Sequence, residues 1–508
     1  MQHDERNGPI EAPTRGPNPS RANILYFVLL VIAGFFVARL PVLSHQFFDP
    51  DEFEHAHAAW CVFKGMIPYK DFFEHHTPFY YYALSPFFHW FRVDQSVDSA
   101  RHFLTFARGL SLLLALLSVA LVFLLGRLLA ERRVGVWAGF LLVVQPFFFE
   151  KMTEIRPDVL AHPFFIGSLC FLQGGLARDT DSVKRRLWPF LGSGLCLGAA
   201  IMCTQKMLFV LPGLLTGLGI WALFSSFHGG TNAGRGSRML SVVAFLVGIG
   251  VTVGLTWAAF ALHHGGSQFI GNNFLLNSKW KAVSHEQLLR MLEASWPALL
   301  LCLLGASAAM VHFFRSQQPS YGRFVLLCTL TGLVVGLLIV PVAHRQYYLI
   351  SLPIIALFAA DGLFVLVDLA REGMRPWLLA LAVMLLSVLP VLDLRDAMAS
   401  RNDGQLARLH YVFESTKPTD VVMDGIEGTG VFRPHALYHY FFHGELLLML
   451  SRQQLDAYVD ALESGKIRPK MIALDENLIV LGSRFLRFVK KNYVSSDGFF
   501  YFSKGGSD

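Results

Sequence analysis

Residues 48–82 read FDPDEFEHAHAAWCVFKGMIPYKDFFEHHTPFYYY and follow directly on the first long apolar segment of the chain. The stretch holds ten Asp, Glu and His side chains, whereas the sequence on either side is dominated by long apolar runs. Titratable groups are costly beside the apolar part of a membrane, and where they gather they mark functional sites. We interpret this stretch as part of an active site at a membrane surface.

The composition excludes an ordinary soluble enzyme. Of the 508 residues, 54% are hydrophobic and only 16% are charged, compared with about 25% charged residues in soluble domains. The net charge of +6 is spread over the loops between apolar segments, where it indicates how the chain is oriented in a bilayer. The basic residues form no continuous stripe that would bind a nucleic acid. The sequence predicts a polytopic membrane protein without a nucleic-acid partner.

Apolar segments long enough to cross a bilayer, which requires about 20 residues, recur along the chain. We predict eleven transmembrane helices, and the shortest break between two of them is Thr204-Gln205-Lys206. The predicted spans are approximately 23–43, 103–129, 134–150, 158–177, 187–204, 207–225, 240–262, 295–314, 324–342, 347–369 and 377–392.

The loops between the spans indicate the orientation of the chain. Lysine and arginine are denser in the loops on the side of the N-terminus, which include Arg132-Arg133 and Lys184-Arg185-Arg186. Cytoplasmic loops carry this excess of positive charge. We therefore expect a cytoplasmic N-terminus and, with an odd number of spans, an extracytoplasmic C-terminal segment.

The chain divides into three parts. Residues 1–22 are polar and rich in Pro and Gly, which predicts a disordered cytoplasmic tail with no cleavable signal peptide. Residues 23–392 form the predicted transmembrane domain, and its outer loop 44–102 is the predicted catalytic loop. Residues 393–508 alternate short strand and helix patterns, such as VVMDG at 421–425, and predict a small extracytoplasmic α/β domain.

The six cysteines show no pattern of their own. Cys61 lies in the outer loop, and the other five fall in or at the ends of apolar spans, where free cysteine behaves as a small hydrophobe. No CxxC spacing occurs, so the sequence supports neither a disulfide framework nor a thiolate metal site.

Residues 50–64 carry the start and stop signals of a helix lying along the outer interface. Pro50 suits the first turn, Asp51 and Glu52 suit its positive end, and Gly65 suits the stop. A carboxylate at the start of this helix is suited to remove a proton from an acceptor hydroxyl as the oxygen attacks. The alternative is that Asp51 serves only as a charge at a helix N-terminus.

The second half of the outer loop, PYKDFFEHHTPFYYYALSPFFHWF, leads into a predicted aromatic interfacial helix near Phe79 to Phe91. Glu74, His75 and His76 precede it, where a carboxylate and imidazoles suit a divalent cation or an anionic phosphate. The alternative is that these histidines, like the two in the preceding helix, are solvated surface residues.

Three motifs together give the chain a family resemblance. They are the Asp51-Glu52 pair, G-x-x-P-Y-x-D-F-F-E-H-H-T-P-F-Y-Y-Y at 65–82, and EKMTEIRPD at 150–158 in a later outer loop. With its span pattern, the chain resembles the C-type (GT-C) glycosyltransferases, which use polyprenyl-phosphate sugars. It is most similar in pattern to the lipid A aminoarabinose (ArnT-like) and RgtA/B/C/D-like transferases, and more distantly to protein O-mannosyltransferases.

The resemblance implies a fold and roles for matching positions. The implied fold is an α-helical polytopic membrane protein of about eleven transmembrane helices, with interfacial helices on its outer face. Asp51, beside Glu52, matches the family's catalytic base, and Glu74 matches a residue implicated in metal or substrate binding. His75 replaces a lysine that contacts the donor phosphate, which leaves the donor and the use of a divalent metal cation open. His76 is a further candidate for substrate or metal binding.

Later loops complete the implied site. Lys206 matches a phosphate-binding lysine of the family, with a lysine that reaches out to the interface as the alternative. Arg156 and Arg345, the latter close to Tyr347, are suited to clamp phosphate oxygens or else to pair with outer acids. His264 is the candidate for a histidine ligand that related enzymes sometimes carry in an outer loop.

The resemblance implies a function and leaves two alternatives. The implied activity is transfer of a sugar from a polyprenyl-phosphate donor to a lipid, glycan or protein acceptor, with inversion, at the outer face of a bacterial inner membrane. One alternative is a ligase that moves a whole lipid-linked glycan. The other is a transporter or lipid flippase, which predicts polar residues near the middle of spans. The acids and histidines of this chain gather instead at one predicted outer face, and the main exceptions are Asp361 and Asp368, both closer to the inner end of the tenth span.

Overall fold

The computed structural model describes residues 19–177, 183–224, 234–276, 286–316, 320–340, 343–495 and 497–504. Most of the predicted tail 1–22 therefore lies outside the described residues. Within the described ranges, ten helices are long and apolar enough to cross a membrane. The predicted α-helical polytopic architecture is confirmed.

Helices make up most of the described chain, with short 3-10 turns between several of them. In chain order they are α1 (Pro19–Arg39), α2 (Pro50–Phe63), α3 (Phe79–Leu84), α4 (Val97–Leu129), α5 (Arg132–Val143), α6 (Phe148–Met152), α7 (Pro157–Leu176), α8 (Val183–Cys203), α9 (Val210–Phe224), α10 (Arg235–Leu262), α11 (Gly266–Ile270), α12 (Glu286–Arg315), α13 (Tyr321–Ile339), α14 (Leu352–Leu369), α15 (Arg375–Leu386), α16 (Val388–Ala399), α17 (Asp403–Ser415), α18 (Gly444–Met449), α19 (Arg452–Glu463) and α20 (Ser483–Asn492). The strands are β1 (Val422–Met423), β2 (Met471–Ala473), β3 (Tyr493–Val494) and β4 (Phe500–Ser503).

The structure differs from the predicted span pattern at 134–150. Helix α5 covers 12 residues and ends at Val143, and the backbone then turns through Phe147, whose φ of +65° is left-handed, into α6. Pro146 lies in this turn, and proline cannot continue the hydrogen-bond ladder of a helix. Among the described residues, ten helices are therefore long and apolar enough to cross a membrane, where the sequence predicts about eleven. The segment formed by α5 and α6 still returns the chain to the side on which it entered α4, because Lys151 of α6 lies 3.5 Å from Asp49.

Neighbouring spans approach closely where glycines face each other. Gly194 of α8 meets Gly248 of α10, and Gly305 of α12 meets Gly362 of α14. A Cβ on Gly362 would clash with the carbonyl oxygen of Leu301. Contacts between small residues let helix backbones pack against each other in lipid, where apolar burial alone provides little driving force.

Most residues of the polar stretch 48–82 are buried, whereas Lys64, Lys70 and Asp71 are exposed. Helix α2 begins at Pro50 as predicted, and Gly65, with φ +86°, lies just beyond its end. Residues 52–61 are buried by aromatic side chains of α3, α4 and the C-terminal segment. Helix α2 therefore packs on protein, and its place along the outer interface stays a prediction. The predicted aromatic helix that follows is α3 with a 3-10 turn at Ser85–Trp90.

The small C-terminal sheet appears where the sequence predicts strands. Its order is β1-β2-β4-β3, with β1 parallel to β2 and with β4 antiparallel to both β2 and β3. Leu455 and Val459 of α19 and Phe485 of α20 pack with Ile472 of β2 in one apolar core. We call residues 402–504 the C-terminal unit.

The C-terminal unit is joined to the outer loop by backbone hydrogen bonds. The Asn402 amide donates to the His45 carbonyl at 2.8 Å, and the Phe73 amide donates to the Tyr438 carbonyl at 2.8 Å. Side chains of this unit consequently lie beside the polar stretch that follows the first span.

Candidate active site

The N-terminus of α2 is fixed by its own side chains. The Asp49 carboxylate accepts a hydrogen bond from the Asp51 amide at 3.0 Å, and the Asp49 amide donates to the Glu52 carboxylate at 3.1 Å. This is a capping box, which satisfies backbone donors at the helix start. The Asp51 side chain takes no part in the cap and remains 37% exposed.

A cavity of about 370 Å³ lies beside the start of α2. Its wall is drawn from α2, the loop before α3, the residues around α6, the turn between α8 and α9, and the turn before α14. The predicted site residues that line it are Asp51, His75, His76, Arg156, Lys206, Arg345 and Tyr347. The other lining residues are Asp49, Glu54, Glu150, Lys151, Gln205, Gln287, His344, Gln346 and His443.

Asp51 is bound by the buried guanidinium of Arg156, whose Nη2 lies 2.9 Å from Asp51 Oδ2. Arg156 Nε also donates to Glu154 at 2.7 Å. Partial burial on its own would raise the pKa of Asp51, but the positive charge of Arg156 holds that pKa well below its ordinary value. Asp51 is therefore an ionised carboxylate facing the cavity.

A second carboxyl group, Glu54, lines the cavity one turn further along α2. Its Oε1 lies 3.7 Å from His75 Nδ1. Burial, and then the negative charges of Glu74 and Asp51, raise the pKa of Glu54 well above its ordinary value. The cavity thus presents the ionised carboxylate of Asp51 beside a carboxyl group whose pKa is raised, and pKa values pushed apart in this way are typical of sites of acid and base chemistry.

Lys206 lies at the turn between α8 and α9 and is buried. Its Nζ is 3.2 Å from both carboxylate oxygens of Asp158 and 4.6 Å from the centre of the Tyr347 ring. A lysine that merely reaches the interface would be solvated, so the buried pair does not favour that alternative.

Arg345 lies across the cavity in the turn before α14. Its Nη1 donates to the two carboxylate oxygens of Glu150 at 3.0 and 3.1 Å, and its guanidinium lies 4.8 Å from the centre of the Phe147 ring. The sequence left open whether the two arginines pair with acids. In the structure both do, Arg156 with Asp51 and Glu154 and Arg345 with Glu150.

Lys151 is a cation of the cavity that sequence reasoning missed. Its Nζ lies 2.7 Å from Glu154 and 3.5 Å from Asp49. Burial lowers the pKa of Lys151, but the charges of these acids outweigh burial and leave the pKa raised. The alternation of acids and bases in EKMTEIRPD is the sequence signal that could have identified it.

Glu74, His75 and His76 form a compact buried group. One Glu74 oxygen accepts hydrogen bonds from the amides of His75 and His76, at 2.8 and 2.9 Å, and lies 3.1 Å from His76 Nδ1. Burial lowers the pKa of both histidines, that of His76 to about 3. The alternative of solvated surface histidines is therefore wrong, because the rings are enclosed and neutral.

The same group offers a set of metal ligands. One ligand atom from each of the three residues lies within 4.8 Å of the others. A carboxylate with two neutral imidazoles suits a borderline divalent cation. Glu74 itself lies behind the wall that His75 and His76 form.

Besides Glu74, two predicted site residues do not line this cavity. Glu52 is buried, and Arg108 donates to it from Nε at 2.9 Å and from Nη2 at 2.5 Å, while the Ile155 amide donates at 3.0 Å. Glu52 therefore fixes the backbone that carries Asp51. His264 is exposed just beyond α10, with φ +62°.

The C-terminal unit contributes His443, which no local motif identifies. It precedes α18, and the centre of its ring lies 4.9 Å from that of His75. Its place in the cavity depends on docking of the C-terminal unit, so a reading of local sequence could not have found it.

A second cavity, of about 570 Å³, adjoins the first. Its wall includes Phe147 and Phe149 near α6, and Leu389 and Pro390 of α16. The two cavities share four charged residues, which are Asp49, Glu150, Lys151 and Arg345.

A family model described as dolichyl-phosphate-mannose-protein mannosyltransferase matches residues 76–257, somewhat more than a third of the chain. A comparison with curated protein sequences gives no match.

Several solved structures share the fold over almost the whole chain. ArnT from Cupriavidus metallidurans bound to undecaprenyl phosphate matches with a TM-score of 0.62 and 12% identity, over 96% of this chain and 98% of that chain. The apo oligosaccharyltransferase of Archaeoglobus fulgidus matches with a TM-score of 0.63 and 14% identity, over 95% of this chain and 75% of that chain. The oligosaccharyltransferase AglB of the same organism, in complex with an inhibitory peptide and a dolichol-phosphate, gives 0.60 and 13%, over 96% and 75%.

These comparisons confirm the resemblance that the sequence predicts. At such low identities the structural likeness shows the fold, which is the predicted GT-C fold of a multi-pass membrane protein. The matched family model is described as a mannosyltransferase and the two Archaeoglobus fulgidus structures as oligosaccharyltransferases, in agreement with the predicted enzyme class.

Proposed function

We propose that this GT-C membrane protein transfers one sugar from a polyprenyl-phosphate donor to a hydroxyl group of an acceptor, with inversion at the anomeric carbon. One observation carries the proposal: a single cavity holds the ionised carboxylate of Asp51 together with the cations Lys151, Arg156, Lys206 and Arg345. A carboxylate suits the attacking hydroxyl, and a ring of cations suits a departing phosphate.

The cations stabilise the leaving group. As the bond between the anomeric carbon and the phosphate oxygen breaks, its electron pair stays on that oxygen and the lipid phosphate gains negative charge. Each of the four cations already has an acidic partner that holds it in place, so the donor phosphate shares these cations with the carboxylates. Fixed donors aimed at developing charge contribute about 10²–10³-fold each to the rate.

Asp51 takes the proton. The acceptor oxygen forms its bond to the anomeric carbon from the face opposite the phosphate, and its hydrogen passes to the Asp51 carboxylate. Arg156 weakens Asp51 as a base by lowering its pKa. A donor phosphate that draws Arg156 away returns the pKa of Asp51 towards its ordinary value, which couples donor binding to activation of the acceptor.

Glu74, His75 and His76 are the residues that would hold a divalent cation. Their neutral imidazoles and single carboxylate fit one. When bound, the cation supplies further positive charge to the donor phosphate.

The two adjoining cavities provide separate places for donor and acceptor. The smaller, at about 370 Å³, lies near the lower end of the range of about 300–1,000 Å³ for small-molecule sites. That size favours a single sugar over a whole glycan. The acceptor, whether lipid, glycan or protein, then approaches through the second cavity, which shares Asp49 and Lys151 with the first.

The acids in the tenth predicted span give little support to a transporter function. Asp361, the more buried acid of the tenth predicted span, is paired with Arg323 at 3.0 Å, and Asp368 is half exposed beside Arg375. Neither lines the cavity that holds Asp51. We place this cavity at the outer face of a bacterial inner membrane, with the N-terminus in the cytoplasm.

Mass spectrometry tests the proposal. The full chain, purified with its native lipids, is expected to carry a prenyl-phosphate sugar and to add the mass of one sugar to an acceptor in a membrane extract. A product heavier by many sugars would favour the ligase. Absence of both a bound prenyl phosphate and any transfer would contradict the proposal.

A further inference from the structure

A second group of possible metal ligands lies in the second half of α2, where this helix contacts the C-terminal unit. His57 and Cys61 are one helical turn apart on α2 and are buried, and His435 reaches them from the C-terminal unit. His57 Nε2 lies 2.8 Å from His435 Nδ1 and 3.4 Å from Cys61 Sγ, and Cys61 Sγ lies 3.8 Å from His435 Nδ1. Three ligand atoms thus form a small triangle.

The triangle has the dimensions of a zinc site. With Zn–N of about 2.0–2.1 Å and Zn–S of about 2.3 Å, ligand atoms of a tetrahedral site are roughly 3.3–3.6 Å apart. The observed separations of 2.8, 3.4 and 3.8 Å bracket these values, so shifts of roughly half an ångström would admit the ion. Two imidazoles with one thiolate also form a ligand set that zinc prefers.

The orientation of His57 supports metal binding. Its Nδ1 lies 2.7 Å from the Val431 carbonyl oxygen, so Nδ1 carries the hydrogen and donates it. The Nε2 lone pair therefore points towards Cys61 and His435. A ligating histidine almost always donates its other ring nitrogen in this way, which fixes the ring for the metal.

A fourth ligand also has room. A small cavity of about 30 Å³ is lined by His57 and His435, and a space of about 10–15 Å³ is enough for one water. Because a cysteine binds zinc as the thiolate, an ion that binds there releases the Cys61 thiol proton.

We propose that His57, Cys61 and His435 bind one Zn²⁺ with a water as the fourth ligand, and that this ion fastens the C-terminal unit to α2. The site is separate from the group Glu74, His75 and His76. It does not depend on the proposed glycosyl transfer. The sequence predicted no thiolate metal site because its ligands come from segments about 370 residues apart, and no local spacing signals them.

The proposed zinc site is connected to the wall of the candidate active site. Residues 435–443 run from His435 at the proposed zinc to His443 in the wall of the cavity that holds Asp51. At the other end of the contact, His57 lies on the same helix as Asp51 and Glu54. A metal at this junction would fix the position of the C-terminal wall relative to the carboxylates.

Two spectroscopic measurements on the wild-type full chain test the proposal without variants. Zinc X-ray absorption is expected to show one sulfur neighbour at about 2.3 Å with nitrogen neighbours. The cobalt-substituted protein is expected to show sulfur-to-cobalt charge-transfer absorption, which Glu74, His75 and His76 cannot produce. Zinc bound with nitrogen and oxygen neighbours only, or cobalt bound without that absorption, would overturn the proposal.

Variants then assign the ligands. Cys61→Ser and His435→Gln are each expected to lower the bound zinc by one ion per chain and to abolish the cobalt–sulfur absorption. Cys203→Ser, a buried cysteine of α8, and His410→Gln, an exposed histidine of α17, serve as matched controls and keep both. Glu74→Gln keeps the cobalt–sulfur absorption. Unchanged zinc content in both ligand variants would show that the three side chains are joined by hydrogen bonds alone.

Discussion

Replacement of Lys206 by methionine separates a phosphate-binding role from a structural one. Lys206 and Asp158 are 6% and 2% exposed and form a buried ion pair at 3.2 Å. Lys206→Met leaves the Asp158 carboxylate buried without its cation, which costs about 3–5 kcal/mol of stability. The same change removes one fixed donor for the leaving phosphate, which lowers the transfer rate by about 10²–10³-fold.

The double variant Lys206→Met/Asp158→Leu tells the two effects apart. Replacing both members of a buried ion pair by apolar residues of similar size is nearly neutral or stabilising, so the thermal unfolding temperature in detergent is expected to recover. The transfer rate is expected to stay low, because the cation is still missing. Recovery of the rate together with stability would refute the reasoning and make Lys206 a structural residue only.

Three further predictions concern other parts of the molecule. Arg156→Gln removes the charge that holds down the pKa of Asp51. As the pH is lowered, activity that needs ionised Asp51 should therefore be lost at a higher pH than in the wild type. An acid limb of the pH–rate profile at the wild-type pH would contradict the coupling between Asp51 and Arg156. Glu52→Gln leaves Arg108 buried without its anion, and thermal unfolding should show a loss of about 3–5 kcal/mol; an unchanged melting temperature would contradict this. Gly362→Leu should force α12 away from α14, reduce the free energy of unfolding by about 1–3 kcal/mol and so lower the melting temperature. Gly250→Leu should not, because a Cβ at Gly250 meets nothing within 4 Å. Equal effects of the two variants would contradict the close packing of α12 and α14.

Much of the fold follows from local sequence. Runs of apolar residues mark ten of the long helices, and Pro50, Asp51 and Glu52 place the start of α2. The break at 134–150 was missed because average hydropathy does not register a single Gln145-Pro146 interruption. The burial of α2 was missed as well, since it comes from the C-terminal unit folding back over the outer loop.

The candidate site divides in the same way. The outer loops were expected to bring Asp51, Arg156, Lys206 and Arg345 to one face, and the structure places all four around one cavity. Their catalytic roles remain a prediction. The C-terminal contribution of His443 could not be predicted, because it depends on contacts between segments hundreds of residues apart.

The central claim is that Asp51 receives the proton of the acceptor. Its most direct test compares the rates of sugar transfer by purified Asp51→Asn and Asp98→Asn at saturating donor. Both changes remove an acid from the first turn of a helix, α2 or α4, so they lose the same helix-end charge, but only Asp51 lines the cavity. We predict a loss of about 10²–10⁴-fold for Asp51→Asn and a rate near that of the wild type for Asp98→Asn. Wild-type turnover by Asp51→Asn, or an equal loss in both variants, would contradict the claim.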